Sequence, residues 1–156
     1  AATDYRRSLF GDASKADRPM KYRGLPTSAA TSNIPVFRAS EMFLIIAEAN
    51  ANLDQIPLAQ DALFEVAQRN TALVKADLPS VKADLLDFIQ TERRRELFQE
   101  GHRWFDLRRT RSLMNRTGRK AITNYAVYEF AYPTPAYEVN ASGLQQNTGW
   151  DAKLPQ

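Results

Sequence analysis

Cysteine is absent from this 156-residue chain, and histidine occurs only once, at His102. Without cysteine there are no disulfides and no thiolate metal sites. A single histidine excludes a metal site built from several histidines, and a Ser-His-Asp triad could use only His102. A long hydrophobic run is also missing: the longest apolar stretch, residues 42–47, is far shorter than the ~20 residues that span a bilayer.

The chain has little net charge, and its start shows no targeting signal. The net charge is +3, and because acidic and basic residues are mixed along the chain, it gives only weak support to an acidic partner. The sequence begins AATDYRRSLFGD, without an initiator methionine or the apolar core of a signal peptide. One domain is expected at this length, and the abrupt start predicts a fragment or a processed product of a longer protein.

Apolar periodicity predicts a mainly α-helical core over residues 37–113. The first helix, residues 37–53, should be buried on most sides, because further apolar residues flank its apolar stripe. That stripe consists of Ala39, Met42, Ile46, Ala49 and Leu53. Pro57 suits the first position of a second helix that runs to about residue 70, and the short link predicts an antiparallel hairpin. Small residues at the crossing resemble those of a tetratricopeptide helix pair.

Two further helices and two irregular ends complete the predicted architecture. Ser80 suits the N-cap of a third helix over residues 81–99, which Gly101 ends. A short fourth helix is expected over residues 102–113. Turn-forming residues predict an irregular lead-in over residues 1–36. Pro133 and Pro135 argue against helix in an irregular tail over residues 114–156.

The most charged stretch, ERRRELFQEGHRWFDLRR at residues 92–109, continues the apolar face of the third helix. Glu92 and Glu96 fall on that face at a helical turn of about 100° per residue, and buried carboxylates need cationic partners. We therefore predict an internal clamp between the third and fourth helices. Arg95 reaches Glu92 along the helix, and further cations arrive after Gly101. The predicted clamp residues are Glu92, Arg95, Glu96, Arg103, Asp106 and Arg108, with Arg109 as an additional cation.

Two functional interpretations compete with this clamp. Paired carboxylates serve acid and base catalysis in glycosidases, but carboxylates surrounded by arginines are poor proton donors. An arginine cluster binds phosphate or nucleic acid, but the acids interleaved here argue against that. His102 is interpreted as a structural residue rather than a general base. We predict no catalytic residue, no metal, no cofactor and no nucleic-acid partner.

Three motifs in this order resemble the C-terminal region of the SusD/RagB family. The first motif is matched by Arg38, Glu41, Leu44, Ala47, Glu48 and Ala49. The second is matched by Glu92 to Leu97, Glu100, Gly101 and Arg103 to Arg109. The third is matched by Pro133, Pro135, Glu138, Gln146, Asn147 and Gly149. Gln99 and Thr134 depart from the family pattern without disturbing the fold. The resemblance covers roughly residues 20–151.

The resemblance implies tetratricopeptide-like helix pairs and a protein without catalytic activity. Family members capture glycans, or in some cases peptides, at the outer membrane and act as a lid over a SusC-like TonB-dependent transporter. This chain would be the C-terminal part of such a protein, and the lipid anchor and earlier helix pairs would lie outside it. The alternative is a helical-repeat module that binds protein partners and captures no nutrient.

Ligand contacts in such proteins come mostly from aromatic rings in irregular loops. The candidates here are Tyr5, Tyr22, Arg23 and Trp150, which all lie outside the predicted helices. Trp104 lies inside the predicted clamp and is expected to be core. Neither composition nor motif distinguishes one glycan from another, or glycans from peptides.

Overall fold

Helices dominate the computed structural model, which describes residues 3–10, 21, 35–118 and 121–147. The predicted mainly α fold is confirmed. The chain divides into two units, Ala1–Arg103 and Trp104–Gln156. Of the predicted ligand contacts, Tyr22, Arg23 and Trp150 lie outside the described residues.

The first unit is built on a helical hairpin. Helix α1 spans Ala39–Asn52 and helix α2 spans Ile56–Ala67. Pro57 lies in the first turn of α2. Backbone N–H groups in the first turn have no helical acceptor, so a proline there removes no hydrogen bond. The apolar face of α2 is buried as its periodicity indicates, and it consists of Ala59, Ala62, Leu63, Val66 and Ala67.

The buried face of α1 differs from the predicted one. Leu44, Ala47 and Ala51 are buried, whereas Met42 and Ile46 of the predicted stripe are exposed. Both helices have buried alanines in the seam between them, and the buried face of α1 combines Ala47 and Ala51 with the larger Leu44. The expectation that α1 is buried on most sides is therefore wrong for this chain.

Helix α3, Lys82–Glu96, closes the core of the first unit. Leu85 and Ile89 are fully buried and join Leu78 in the hydrophobic cluster of the hairpin. The helix is shorter than predicted at both ends, with Val81 rather than Ser80 at the N-cap. Gly101 has a φ of 81° in the link that precedes helix α4, His102–Arg109. A positive φ favours glycine, which has no Cβ to clash.

A short 3₁₀ helix, Tyr5–Phe10, is attached to the end of α2. The N–H of Tyr5 donates to the carbonyl of Arg69 at 3.0 Å, and the N–H of Thr71 donates to the carbonyl of Thr3 at 3.1 Å. Asp4 and Asn70 form an isolated antiparallel bridge. Among its described residues, the predicted irregular lead-in therefore contains a 3₁₀ helix that is hydrogen-bonded beside the hairpin.

The second unit contains strands and a helix within the range where an irregular tail was expected. Strands β1, Leu113–Arg116, and β2, Ile122–Ala126, form an antiparallel hairpin with an irregularity between Met114 and Arg116. Helix α5, Ala136–Ser142, begins directly after Pro135. The prediction of an irregular tail is wrong in both places. Pro135 does not prevent α5, because a proline is tolerated at the start of a helix, where the backbone N–H groups have no helical acceptor. The fourth helix ends at Arg109 rather than at residue 113.

Within the described ranges, every helix falls short of the length and apolarity needed to cross a bilayer.

The alanine seam between α1 and α2 predicts a steric effect that depends on position. Ala47→Leu should destabilise the fold by about 1–3 kcal/mol, because extra methylene groups in a packed seam force strain. Urea denaturation followed by circular dichroism measures the change. Ala49→Leu is the matched control, since Ala49 is an exposed alanine of the same helix. Equal stability of the two variants would contradict the assignment of the seam.

Candidate functional site

Two carboxylates at the end of α3 are almost completely removed from solvent. Glu92 is 1% exposed and Glu96 is 3% exposed, and four residues separate them, so they lie one above the other on the same face of the helix. Burying a charge costs several kcal/mol unless it is paired. The structure therefore has to supply cations at this point.

Arg6 of the 3₁₀ helix is the central cation, and only 5% of it is exposed. Its Nη1 lies 2.6 Å from Glu92 Oε1 and 3.3 Å from Glu96 Oε2. Its Nε and Nη2 donate to the two oxygens of Asp4 at 2.9 and 2.8 Å. One guanidinium group thus contacts three carboxylates, and the pair with Asp4 is bidentate, the geometry that suits the planar fork of arginine.

The pKa values of Asp4 and Arg6 reflect this contact. The hydrogen bond from the Arg6 side chain lowers the pKa of Asp4 below its ordinary value of 3.8, although partial burial opposes the shift. Burial alone would lower the pKa of Arg6, but the hydrogen bond with Asp4 and the charge of Glu92 outweigh burial and raise it. Both groups are therefore held in their charged forms.

Arg38 joins the start of α1 to the end of α3. Its Nη1 lies 3.0 Å from Glu96 Oε1, and its Nη2 lies 2.9 Å from Glu100 Oε1. The same Nη2 donates to the backbone carbonyl of Glu96 at 2.9 Å. Carbonyls at the end of a helix lack helical donors and carry partial negative charge, so Arg38 satisfies a backbone group as well as two carboxylates.

Lys21 reinforces the same helix end. Its Nζ donates to the carbonyls of Glu96 and Phe98 at 2.7 and 3.1 Å and pairs with Glu100. It also lies 4.6 Å from the centre of the Phe98 ring, within the range of a cation–π contact.

Glu41 makes a second connection between α1 and α3. One of its oxygens lies 3.8 Å from Arg93 Nη2 and 3.5 Å from His102 Nδ1. Arg38 at the start of α1 pairs with Glu96 of α3, and Glu41 of α1 pairs with Arg93 of α3. The contact is therefore reciprocal, because each helix supplies one acid and one base. The first and second sequence motifs therefore meet in space.

We call Arg6, Arg38, Glu92, Glu96 and Glu100 the ionic cluster. The ion pairs of Glu92 and Glu96 are completed at the surface by Arg95 and Arg69, whose nitrogens lie 3.3 Å from Glu92 and 3.5 Å from Glu96. Their side chains are about half exposed. The cluster therefore has a buried centre and a partly solvated rim.

The cations that contact Glu92 and Glu96 differ from the predicted ones. We expected them from the segment after Gly101, whereas they come from Arg6, Arg38 and Arg69, together with the predicted Arg95. Spacing along the helix identifies Arg95, but a contact with Arg6 joins residues 90 positions apart, and one sequence carries no signal for it.

The other predicted clamp residues lie in or beside α4. Asp106 is buried, and its Oδ1 accepts a hydrogen bond from Arg109 Nε at 2.9 Å. Arg103 and Arg108 are exposed. Trp104, expected to be core, is half-buried and makes an edge-to-face contact with Phe130 at 5.3 Å. Phe130 makes a second such contact with Tyr132 at 5.1 Å.

The cluster is built to hold segments together and offers little to a substrate. Both central carboxylates are enclosed, and their oxygens are engaged by guanidinium groups. In the part of the chain that the structure describes, no three acidic or histidine side chains form a metal-binding group. Tyr5, by contrast, is 73% exposed although its neighbour Arg6 is buried, so the anchored 3₁₀ helix presents this ring to solvent.

Loss of one central carboxylate should destabilise the protein strongly. We expect Glu96→Ala to lower the free energy of unfolding by about 3–5 kcal/mol, because breaking a buried pair leaves buried cations uncompensated. Thermal and urea denaturation measure this loss. Glu65→Ala is the control, since Glu65 is exposed on α2 and surface substitutions usually change stability by less than about 0.5 kcal/mol. A melting curve of Glu96→Ala that overlays that of the wild type would contradict the structural role of Glu96.

The lowered pKa of Asp4 predicts a specific acid sensitivity. Asp4 binds a proton more readily in the unfolded state, so its contribution to stability is present above pH 3.8 and is lost as the pH falls through the lower folded-state pKa. Asp4→Asn should therefore reduce the wild-type stability near neutral pH and flatten its decline in acid. Urea denaturation across a pH series tests this, with Asp84→Asn on the exposed side of α3 as control. Parallel pH profiles for Asp4→Asn and wild type would be the contrary result.

Comparison with known proteins places this architecture in a family. The model of the SusD family matches residues 23–150. A SusD-like protein of Formosa agariphila is 41% identical over 86 residues, which covers 51% of this chain and 17% of that protein. The crystal structure of a SusD superfamily protein from Bacteroides vulgatus superposes with a TM-score of 0.66 at 28% identity, covering 99% of this chain and 37% of that one.

The chain thus spans well under half the length of these two relatives. The family match takes in α1, α3 and the reciprocal contacts between them, so the ionic cluster lies largely within the family's own region. Since the match extends over most of the sequence, the chain belongs to the SusD family.

Proposed function

We propose that this chain is part of a nutrient-binding protein that captures glycans or peptides at the outer membrane. The observation that carries the proposal is the family match over residues 23–150. In the same proposal, the protein acts as the lid of a SusC-like TonB-dependent transporter and reaches the cell surface through a lipid anchor that precedes this chain. A gene for such a transporter beside the gene for this protein would support the partnership.

The pairing of charged side chains inside the fold supports binding rather than catalysis. The densest group of ionisable side chains, the ionic cluster, is occupied by internal ion pairs and removed from solvent. A general acid or base has to reach the reacting atoms within hydrogen-bond distance, and enclosed carboxylates do not. The proposed protein therefore recognises its ligand by surface contacts.

Tyr5 is the proposed ligand contact that the structure describes. Its backbone is held by the hydrogen bond to Arg69, and the buried side chain of Arg6 anchors the same segment. A segment whose backbone is already fixed loses less entropy when a ligand packs against its side chain, which favours affinity. Tyr22, Arg23 and Trp150 remain proposed contacts from the sequence.

Binding by the full-length protein tests the proposal. A glycan array and a peptide pool identify the ligand class, and absence of binding on both would contradict nutrient capture. For the ligand found, Tyr5→Ala should weaken binding about tenfold, which corresponds to about 1.4 kcal/mol. Isothermal titration calorimetry measures the dissociation constant.

Tyr137→Ala is the matched control, because Tyr137 is a tyrosine of similar exposure, 69%, that is not among the proposed contacts. We expect its affinity to equal that of the wild type. If Tyr5→Ala also binds like the wild type, Tyr5 is not a ligand contact, while the assignment of the ligand class stands on the array.

A further inference from the structure

Residues 3–10, which we call the strap, contribute little to the hydrophobic core of the first unit. Tyr5 is 73% exposed, and Thr3 and Arg7 are exposed as well. Leu9 is half-buried but stands outside the hydrophobic cluster, whose members among the described residues come from α1, α2, α3 and the link between α2 and α3. Burial of apolar surface is the main force that holds a segment to a core. The described side chains of the strap are therefore held mostly by polar contacts.

The main chain of the strap is bonded to the residues that follow α2, at positions largely open to solvent. Thr71 donates to the carbonyl of Thr3 through both its N–H and its hydroxyl, at 3.1 Å each. The hydroxyl of Thr3 donates to Asn70 Oδ1 at 2.6 Å. Groups of this kind can bond to water instead, so the net contribution of each hydrogen bond to stability is small. The strap can therefore leave without depriving these polar groups of a partner.

On the strap side, the buried contact carries its own counterion. Arg6 is 5% exposed, and its guanidinium group forms the bidentate pair with Asp4, which belongs to the same strap. Because this pair joins residues two positions apart, it does not depend on the helices. Arg6 and Asp4 would move together if the strap moved away, and the charge of Arg6 would remain neutralised.

On the helix side, the carboxylates keep cations of their own. Glu92 pairs with Arg95 at 3.3 Å, and Glu96 pairs with Arg38 at 3.0 Å and with Arg69 at 3.5 Å. These three arginines lie outside the strap. Separating a buried pair is costly because it leaves a buried charge uncompensated. That cost is largely avoided here, since both sides of the contact retain counterions.

We propose that the strap opens and closes as a unit on the folded first unit, and that the ion pairs of Arg6 with Glu92 and Glu96 hold it closed. In the closed state the segment that carries the ring of Tyr5 is fixed in place, and in the open state it is released. A ligand that contacts Tyr5 only in the closed state therefore shifts the strap toward closure. This last consequence rests on the proposed role of Tyr5 in ligand capture, whereas the opening itself does not.

Hydrogen exchange of backbone amides in the full-length protein tests the proposal. The N–H of Thr71 reports on the strap from outside it, because its acceptor is the carbonyl of Thr3. We expect it to exchange at least about a hundredfold faster than the N–H of Ile89 in the buried part of α3, because local opening requires less free energy than global unfolding. Low concentrations of urea should leave the rate at Thr71 nearly unchanged, since opening of the strap exposes little surface. Gln68, whose N–H donates to the carbonyl of Phe64, should exchange more slowly than Thr71 and detects fraying of α2 itself.

A matched pair of substitutions on the strap identifies what holds it closed. Arg6→Gln removes the buried ion pairs, so we expect the N–H of Thr71 to exchange about tenfold faster than in the wild type, which corresponds to about 1.4 kcal/mol. Arg7→Gln removes the same charge from an exposed neighbouring position, and its rate at Thr71 should equal that of the wild type. Retained protection at Ile89 is expected in both variants.

Exchange at Thr71 as slow as at Ile89, with the same dependence on urea, would overturn the proposal, because the strap would then open only when the whole unit unfolds. Equal rates at Thr71 in Arg6→Gln and Arg7→Gln would also overturn it, because the ion pairs would not hold the strap. Loss of protection at Ile89 in Arg6→Gln would show that the helices do not stay folded without the strap, which is equally contrary. A failure to bind glycans or peptides leaves the opening unaffected, so the two proposals fail separately.

Discussion

The contact on which the first unit depends is that of one guanidinium group, Arg6, with the carboxylates of Asp4, Glu92 and Glu96. Two glutamates one helical turn apart repel each other, and burying each of them costs several kcal/mol. Arg6 offsets both costs from a position that is itself buried. Its own burial is tolerated because a third carboxylate, Asp4, engages the rest of the planar fork.

This contact joins segments that are far apart in the chain. Arg6 precedes the helices, Arg38 lies at the start of α1, and Glu96 ends α3. Because these residues share one network, substitutions within it should not act independently. The reciprocal pairs between α1 and α3 explain why two separate charged motifs occur in one fold: each motif supplies the counterions of the other.

The ionic cluster and the exposed surfaces have different roles. The motif residues of α1 and α3 that carry the family resemblance hold these helices together, so the proposed ligand contacts lie on other surfaces. If Tyr5 is the ligand contact that we propose, it links the two roles, since the ion pairs of its neighbour Arg6 fix the segment that presents the ring. The outer side of α1 has neither role, although Met42, Ile46 and Leu53 expose apolar side chains there.

Periodicity in the sequence determined that the chain is helical, where its main helices lie, and that Glu92 and Glu96 point inward. These properties depend on residues within a few turns of one another, so the spacing of residues along the sequence is enough to predict them. Tertiary structure alone decided which arginines neutralise the carboxylates, because Arg6 and Arg38 reach Glu96 only after the chain has folded back on itself. It also decided which of the two apolar sides of α1 is buried. Both sides satisfy the helical pattern, and the side with Leu44, Ala47 and Ala51 joins residues of α2 and α3 in the core.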